Sequence, residues 1–84
     1  MPNDMVQIII NQSKEKLATK QLLGHEVIVG IISIAKNYSL NEETVSYILH
    51  EVYSGDKVRL LSDLEVANLI IDESLIERII KEVT

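Results

Sequence analysis

The sequence predicts an all-α fold: a compact bundle of four or five short helices in a single domain spanning residues 1–84, with a helix-turn-helix-like centre. Three observations support this fold class. Apolar residues recur at intervals of three and four, the spacing of one helix face. At three places a Ser stands three residues before a Glu, which is the pattern of a helix capping box. No second alternating apolar run is present to pair with a lone strand.

Composition and charge narrow the classes of function. The chain has a net charge of -5 and contains no Cys, Phe or Trp. The lack of Cys excludes disulfides and thiolate metal sites and is typical of a reducing, intracellular compartment. No apolar run has the length of a membrane span, and the N-terminus lacks the basic region of a secretory signal. We therefore expect a cytoplasmic protein without a membrane segment.

Helix 1 is predicted to run to about Lys20. Ile8, Ile9 and Ile10 make its first half more apolar than a small monomeric domain needs. This triplet could form a homodimer seam, or it could be buried in the domain itself. The residues that share the predicted core face are Val6, Ile9, Ile10, Ser13 and Leu17.

Helix 2 is predicted from about His25 to Asn37, after Gly24 has ended helix 1. The β-branched residues between Val27 and Ile34 also favour a strand, so this segment stays open between helix and strand. The lack of a partner strand favours a helix. Gly30 in its middle predicts the close approach of a neighbouring helix.

Helix 3 is predicted to begin at the capping box Ser39–Glu42, with Asn41 as a competing cap. It should end near Tyr53, because Gly55 can supply a left-handed turn just beyond. Its apolar face is Leu40, Val45, Ile48, Leu49 and Val52.

Two further capping boxes predict the last helices. Ser62–Glu65 should open helix 4, which would run to about Ile71, and Ser74–Glu77 should open helix 5. The predicted inward residues of helix 4 are Leu61, Leu64, Ala67 and Ile71, with Val66, Leu69 and Ile70 widening that face. Those of helix 5 are Leu75, Ile76, Ile79, Ile80 and Val83.

The segment from Ile31 to Val52, IISIAKNYSLNEETVSYILHEV, resembles the helix-turn-helix of bacterial regulators. Ala35 is the small residue that lets two helices cross closely, and Leu40 is the apolar residue after the turn. Ser39 stands where that family usually has a turn glycine. The resemblance implies that helix 3 would face the DNA major groove with Asn41, Ser46, Tyr47 and His50, together with Glu42 and Glu43.

A second resemblance begins at Tyr38. The stretch YSLNEETVSYILHEV is similar to the helical module of bacterial primosome initiation proteins of the DnaD/DnaB-helicase-loader type. The two resemblances together cover only about residues 31–55. This one implies a protein-docking module or a replication accessory protein. The basic and aromatic residues that follow in that family are absent here, where helix 5 carries Glu73, Glu77 and Glu82.

The residue types needed for catalysis are sparse. His25 and His50 are too few and too far apart in sequence to indicate a metal site. The three glycines are isolated, so no Gly-rich phosphate loop is present. No Ser is accompanied by a base and an orienting partner. We expect no enzyme activity, no cofactor and no metal.

A protein-binding surface is predicted on the outer side of helix 3. Tyr side chains among carboxylates suit a partner with a basic patch, because Tyr is large, stiff and amphipathic. A plain solvated face with half-buried tyrosines explains the same residues, and this alternative stays open. The candidate partner-binding residues are Glu42, Glu43, Tyr47, His50, Glu51 and Tyr53.

The first functional hypothesis is therefore a noncatalytic protein-interaction module, an adaptor or inhibitor of a larger assembly, acting through this acidic face or by self-association. The alternative is a helix-turn-helix DNA-binding regulator or replication accessory protein. The acidic balance from Ser39 onward disfavours binding to phosphates. A cluster of Lys14, Lys16, Lys20 and Lys36 near the start of helix 3 would favour the alternative.

Overall fold

The chain is helical along most of the part that the structure describes, so the prediction of an all-α bundle is confirmed. The computed structural model describes residues 2–84, with side chains from Asp4 onward. The segment between Val27 and Ile34, which the sequence left open, is helical. The helices are α1 (Pro2–Ala18), α2 (Gly24–Asn37), α3 (Glu42–Val52), α4 (Lys57–Ile70) and α5 (Ser74–Val83).

A single hydrophobic core draws side chains from every helix. α3 packs against each of the other four helices, and α2 packs against α1, α3 and, most extensively, α4. α5 packs mainly on α4. The Cα radius of gyration is 11.6 Å, close to the value of about 12 Å expected for one globular domain of this length. None of the helices in residues 2–84 is long and apolar enough to cross a membrane.

The turn between α2 and α3 is short and closed by backbone hydrogen bonds. The amide of Leu40 donates to the carbonyl of Ala35 over 2.9 Å, which forms a Schellman motif. Ser39 takes the left-handed position of that motif, with φ 54°. This is the place where glycine is usual, because only glycine adopts positive φ without steric cost. The same conformation recurs at Lys20 after α1 and at Ser54 after α3.

Of the two caps that the sequence left open for α3, the competing cap Asn41 is confirmed, whereas the predicted cap of α4 was wrong. The side chain of Asn41, not Ser39, caps α3 by accepting the Thr44 amide over 2.8 Å. α4 begins at Lys57 rather than at the Ser62 box, and the Asp56 carboxylate accepts the Arg59 amide over 3.2 Å. An aspartate just after a left-handed turn is well placed to start a helix, so little loop remains between α3 and α4.

α5 begins where the sequence predicted, but Ser74 does not cap it. Glu73 holds the capping position, without a side-chain hydrogen bond to the helix amides. The Ser74 hydroxyl instead accepts a hydrogen bond from the Arg78 guanidinium over 3.2 Å. The box pattern therefore located this helix without identifying its cap.

The two glycines of α2 have the opposite roles to those predicted. Gly24 is the first residue of α2 and does not end α1. A methyl group added to Gly24 would overlap the carboxylate of Asp63 on α4, so this is the position of close approach. Gly30 is exposed, and nothing lies within 4 Å of a Cβ built there. The predicted helix contact at Gly30 was wrong.

Candidate functional site

The outer side of α3 brings part of the predicted protein-binding surface together. Tyr47 is 53% exposed, and it lines an open groove of about 330 Å³ with Val6, Glu43 and Thr44, between α1 and α3. Glu51 is exposed one turn further along the helix, and His50 beside it is half-buried. An amphipathic ring between two carboxylates is thus accessible on this face.

Glu42 is drawn away from that face by an ion pair. Its carboxylate lies 2.6 Å from Nε of Arg78, which ties the start of α3 to α5. A second ion pair joins Lys36 on α2 to Glu73 at the start of α5, also over 2.6 Å. Both pairs are partly exposed, so each stabilises the fold by no more than about 1 kcal/mol. Glu43 and Glu51 take part in neither pair, so they are the carboxylates beside Tyr47 that are not tied to another helix.

The prediction that the partner-binding candidate Tyr53 lies on the outer side of helix 3 was wrong. Its side chain is only 5% exposed. The hydroxyl donates to the Asp63 carboxylate over 2.6 Å and lies 3.4 Å from the Gly24 carbonyl oxygen. Tyr53 follows the last residue of α3, where the chain turns back toward α4, and this turn carries the ring into the core.

Burial and hydrogen bonding change the acidity of Tyr53. Burial is the largest cause, and the hydrogen bond and negative charge of Asp63 act in the same direction, so the pKa of Tyr53 is raised far above its ordinary value. Arg59 lowers the pKa by a smaller amount, and its guanidinium carbon lies 5.8 Å from the centre of the Tyr53 ring. Tyr53 therefore acts as a hydrogen-bond donor that joins three helices.

The DNA-contact candidates are only partly available on the surface. Asn41 is exposed, but its side chain is engaged as the cap of α3. Ser46 and His50 are half-buried, and Tyr47 is exposed. If α3 faced DNA as the helix-turn-helix resemblance implies, it would present one accessible aromatic side chain, Tyr47, and neither Lys nor Arg.

At least two of the four lysines of the first half lie away from the start of α3. Lys14 lines a groove beside the C-terminal end of α3, and Lys16 lines another between α1 and α2. Lys36 is paired with Glu73. The basic cluster that would favour DNA binding is therefore not formed.

The triplet of isoleucines in α1 is divided between core and surface. Ile9 and Ile10 are buried in the protein's own core, while Ile8 is 54% exposed. The sequence left two interpretations open, a homodimer seam or burial in the domain itself, and burial is confirmed for Ile9 and Ile10. A dimer seam built from the whole triplet is excluded, because two of its members are occupied.

The most exposed apolar surface lies on α4, where the sequence placed core residues. Val58 and Leu69 are 83% and 87% exposed, and Val66 and Ile70 are exposed beside them. Val58, Ser62, Glu65 and Leu69 recur at intervals of three and four, and Val66 lies beside Glu65. These five residues form the side of the helix opposite Leu60, Leu64 and Ala67. We call these five outer residues the α4 face.

The prediction that Val66, Leu69 and Ile70 widen the buried side of α4 was wrong. The helix starts at Lys57, five residues before the predicted Ser62. This earlier start leaves the side on which each later residue lies unchanged, and it adds Leu60 to the buried side. A signal was present in the sequence. α4 carries apolar residues around its whole circumference, and a helix at the edge of a small bundle can bury only one side.

No group of three or more His, Asp or Glu side chains among the described residues is placed to hold a metal ion. Each buried side-chain N or O atom that the structure describes has a hydrogen-bond partner. Comparison of the chain with protein-family models, curated proteins and solved structures gave no match.

Proposed function

We propose that this protein is a noncatalytic protein-interaction module that docks its partner on the α4 face. The observation that supports this proposal is the exposure of Val58 and Leu69, at 83% and 87%. Large aliphatic side chains that are nearly free of contacts in the isolated chain gain about 25 cal/mol for each Å² that a partner covers. Val58 and Leu69 lie on one side of α4 with Val66 between them, and apolar side chains repeated along one side of a helix are the anchors by which helices dock on protein partners.

The dimensions of α4 indicate how such a partner would bind. A helix of 14 residues is about 21 Å long, so the α4 face alone is smaller than the roughly 800 Å² per partner of a standard interface. A partner helix lying along α4 would bury this stripe and reach the neighbouring helices at its margins. We expect a transient complex with a dissociation constant in the micromolar range or weaker.

The acidic face of α3 is a second surface for the same function. Tyr47 between Glu43 and Glu51 suits a partner with a basic patch, because carboxylates steer such a partner and the ring supplies contact area. We assign the principal contact to α4, since its aliphatic side chains are more exposed than the Tyr47 ring, at 53%.

Position-specific crosslinking tests the assignment. A photoreactive amino acid is placed at Leu69, at Tyr47, or at Lys81 as an exposed control on α5, and each protein is irradiated in the cells that produce it. We expect one defined adduct from position 69, absent from position 81, which disappears when Val58 is replaced by Ser. An adduct from position 47 alone would move the docking surface to α3 and overturn the assignment to α4.

Sedimentation equilibrium decides whether the partner is a second copy. The concentration is varied from about 1 μM to about 1 mM, which spans binding free energies of roughly 8 to 4 kcal/mol. Association that is lost in the Leu69→Ser variant but kept in the Ile8→Ser variant would identify self-association through α4. A monomer at every concentration, without an adduct from position 69, would contradict the proposed function.

A further inference from the structure

A groove separate from the outer side of α3 and from the α4 face is lined by both cationic and apolar side chains. It is open, has a volume of about 420 Å³, and lies between the end of α1 and the turn that joins α3 to α4. This volume falls within the range of roughly 300–1,000 Å³ that is usual for small-ligand pockets. Leu17, Ala18 and Val52 form an apolar wall, and Lys14 and Arg59 belong to the same lining.

The two cations of this groove have no acidic partner. Within the described residues, no carboxylate oxygen lies within 4.0 Å of the ammonium nitrogen of Lys14 or the guanidinium nitrogens of Arg59, although the chain as a whole is acidic. Lys36 and Arg78, by contrast, are each paired with a glutamate. Lys14 and Arg59 are two of the six Lys and Arg side chains outside these pairs, and the groove places both of them in one lining.

Arg59 is held in position by its neighbours. Its guanidinium carbon lies 5.8 Å from the centre of the Tyr53 ring, and the ring itself is fixed by the hydrogen bond to Asp63. Packing over an aromatic face leaves the N–H groups at the edge of the guanidinium plane free to donate. Those donors form a fork that matches the two oxygens of a carboxylate.

One carboxylate, that of Asp56, also lines the groove. It caps α4 by accepting the Arg59 amide over 3.2 Å, so its charge is directed at the helix N-terminus. The charged residues of the lining are Lys14, Arg59 and Asp56, so its net charge is +1, whereas the net charge of the chain is -5. The linings of the grooves beside Lys16 and beside Tyr47 carry no net positive charge, so of these three grooves this one suits an anion best.

We propose that this groove binds a carboxylate attached to an aliphatic residue, as found at the C-terminus of a peptide. Lys14 and Arg59 hold the carboxylate, and Leu17 and Val52 contact the aliphatic side chain. Charge and apolar surface lie together in one small groove, so the ligand must carry both groups within the reach of a single residue. This proposal does not depend on the α4 face.

Two small probes that differ in one group test the proposal. N-acetyl-leucine has the carboxylate and the aliphatic side chain, whereas N-acetyl-leucinamide has the side chain without the charge. Each is titrated into the full ¹⁵N-labelled chain while amide chemical shifts are followed. We expect saturable shifts at Leu17, Ala18, Ser54 and Arg59 with N-acetyl-leucine, at a roughly millimolar dissociation constant for so small a ligand. N-acetyl-leucinamide should produce none of them.

Variants identify the groups that bind. Arg59→Gln should weaken the binding of N-acetyl-leucine about tenfold, because it removes the charge and the fork of donors. Arg59→Lys should recover only part of that loss, and Lys14→Gln should weaken binding by a smaller factor. Lys81→Gln, on α5, removes an exposed charge far from the groove in sequence and should leave the affinity unchanged. The spectra of the unliganded variants show that each is folded.

Three results would overturn the proposal. Equal shifts with N-acetyl-leucinamide would mean that the carboxylate is not recognised. Equal affinity in the Arg59→Gln and Lys81→Gln variants would mean that binding reflects net charge alone. Equal affinity for inorganic phosphate would mean that the aliphatic wall does not contribute. Because none of these measurements involves Val58 or Leu69, a failure here is distinguishable from a failure of the α4 face.

Discussion

The hydroxyl of Tyr53 and the carboxylate of Asp63 lie 2.6 Å apart, and this hydrogen bond fixes the end of α3 to α4 beside the first residue of α2. Asp63 stands against Gly24 so closely that a side chain at Gly24 would overlap it. The carboxylate therefore also lies at the positive N-terminal end of α2, where negative charge is stabilising. Three helices meet at this one polar contact within an aliphatic core.

Replacement of Tyr53 by Phe should destabilise the fold by about 1.5 kcal/mol or more. The change removes a hydrogen bond to a charged group and leaves a half-buried carboxylate without that donor. Urea unfolding followed by circular dichroism measures the loss. The matched control is Tyr47→Phe, whose ring is 53% exposed and whose loss of a hydroxyl should cost less than about 0.5 kcal/mol. Equal effects of the two changes would contradict the role given to Tyr53.

The Tyr53 pKa predicts a loss of stability in alkaline solution. Its folded pKa is raised above the ordinary value, mainly by burial and then by Asp63, so the protonated ring is favoured in the fold. The stabilisation is complete below about pH 10, where the unfolded tyrosine is also protonated. Above this pH the unfolded chain loses the proton first, and the free energy of unfolding should fall by about 1.4 kcal/mol per pH unit.

Comparison with the Tyr53→Phe variant isolates the contribution of Tyr53 to the loss of stability in alkaline solution. Urea titrations between pH 8 and about pH 11 are compared for the natural chain and for Tyr53→Phe, because the other titrating groups are common to both. The free-energy difference between the two should shrink as the pH rises above 10. A difference that is constant across this range would mean that Tyr53 ionises equally in the folded and unfolded states.

Alanine should have opposite effects at Gly24 and Gly30. At Gly24 the new methyl group would push the Asp63 carboxylate away from Tyr53, so we expect a loss of about 1–2 kcal/mol. At Gly30 the methyl group meets nothing within 4 Å, and alanine should stabilise the helix by up to about 1 kcal/mol. Thermal unfolding of the two variants provides the comparison. In a Tyr53→Phe background the cost of Gly24→Ala should diminish, because the hydrogen bond is already absent.

The left-handed residue between α2 and α3 should be improved by glycine. Ser39 has φ 54°, a conformation that costs a residue with a Cβ about 1 kcal/mol. Ser39→Gly removes this cost but adds entropy to the unfolded chain, so we expect a net stabilisation of about 0.5 kcal/mol. Ser33→Gly, at an exposed position inside α2, should instead destabilise by roughly 0.5–1 kcal/mol. Chemical denaturation of both variants tests this difference in sign.

The fold class was predictable from the sequence because aliphatic spacing is strong and local. On the predicted core face of α1, Ile9, Ile10 and Ser13 are buried and Val6 and Leu17 are partly buried. The predicted inward residues Val45 and Ile48 of α3 are buried. The helix starts were less predictable, because Ser, Asn and Asp are all good caps and several stand near each turn. The structure selects Asn41 and Asp56, whose positions relative to the preceding left-handed residues determine where the next helix can begin.

The surface was predicted less well than the core. Tyr53 and Tyr47 lie six positions apart on or just after one helix, and the sequence offered no local difference between a buried and an exposed ring. What separates them is Asp63, ten residues further along the chain, which supplies a partner for the Tyr53 hydroxyl. The exposure of Leu69 likewise depends on how many helices surround α4, and this is a property of the tertiary arrangement.

Two leucines of α4 should respond in opposite ways to truncation. Leu64 is fully buried, and Leu64→Ala should cost about 2–5 kcal/mol through lost burial and the cavity left behind. Leu69 is 87% exposed, so Leu69→Ser should change the free energy of unfolding by less than about 0.5 kcal/mol. Urea unfolding at low protein concentration measures both values on the isolated chain. A loss above 1 kcal/mol for Leu69→Ser would place this side chain in the protein's own core and remove the basis for docking on the α4 face. A small loss, combined with the absence of the adduct from position 69 in the Val58→Ser variant, would separate a role in binding from a role in folding.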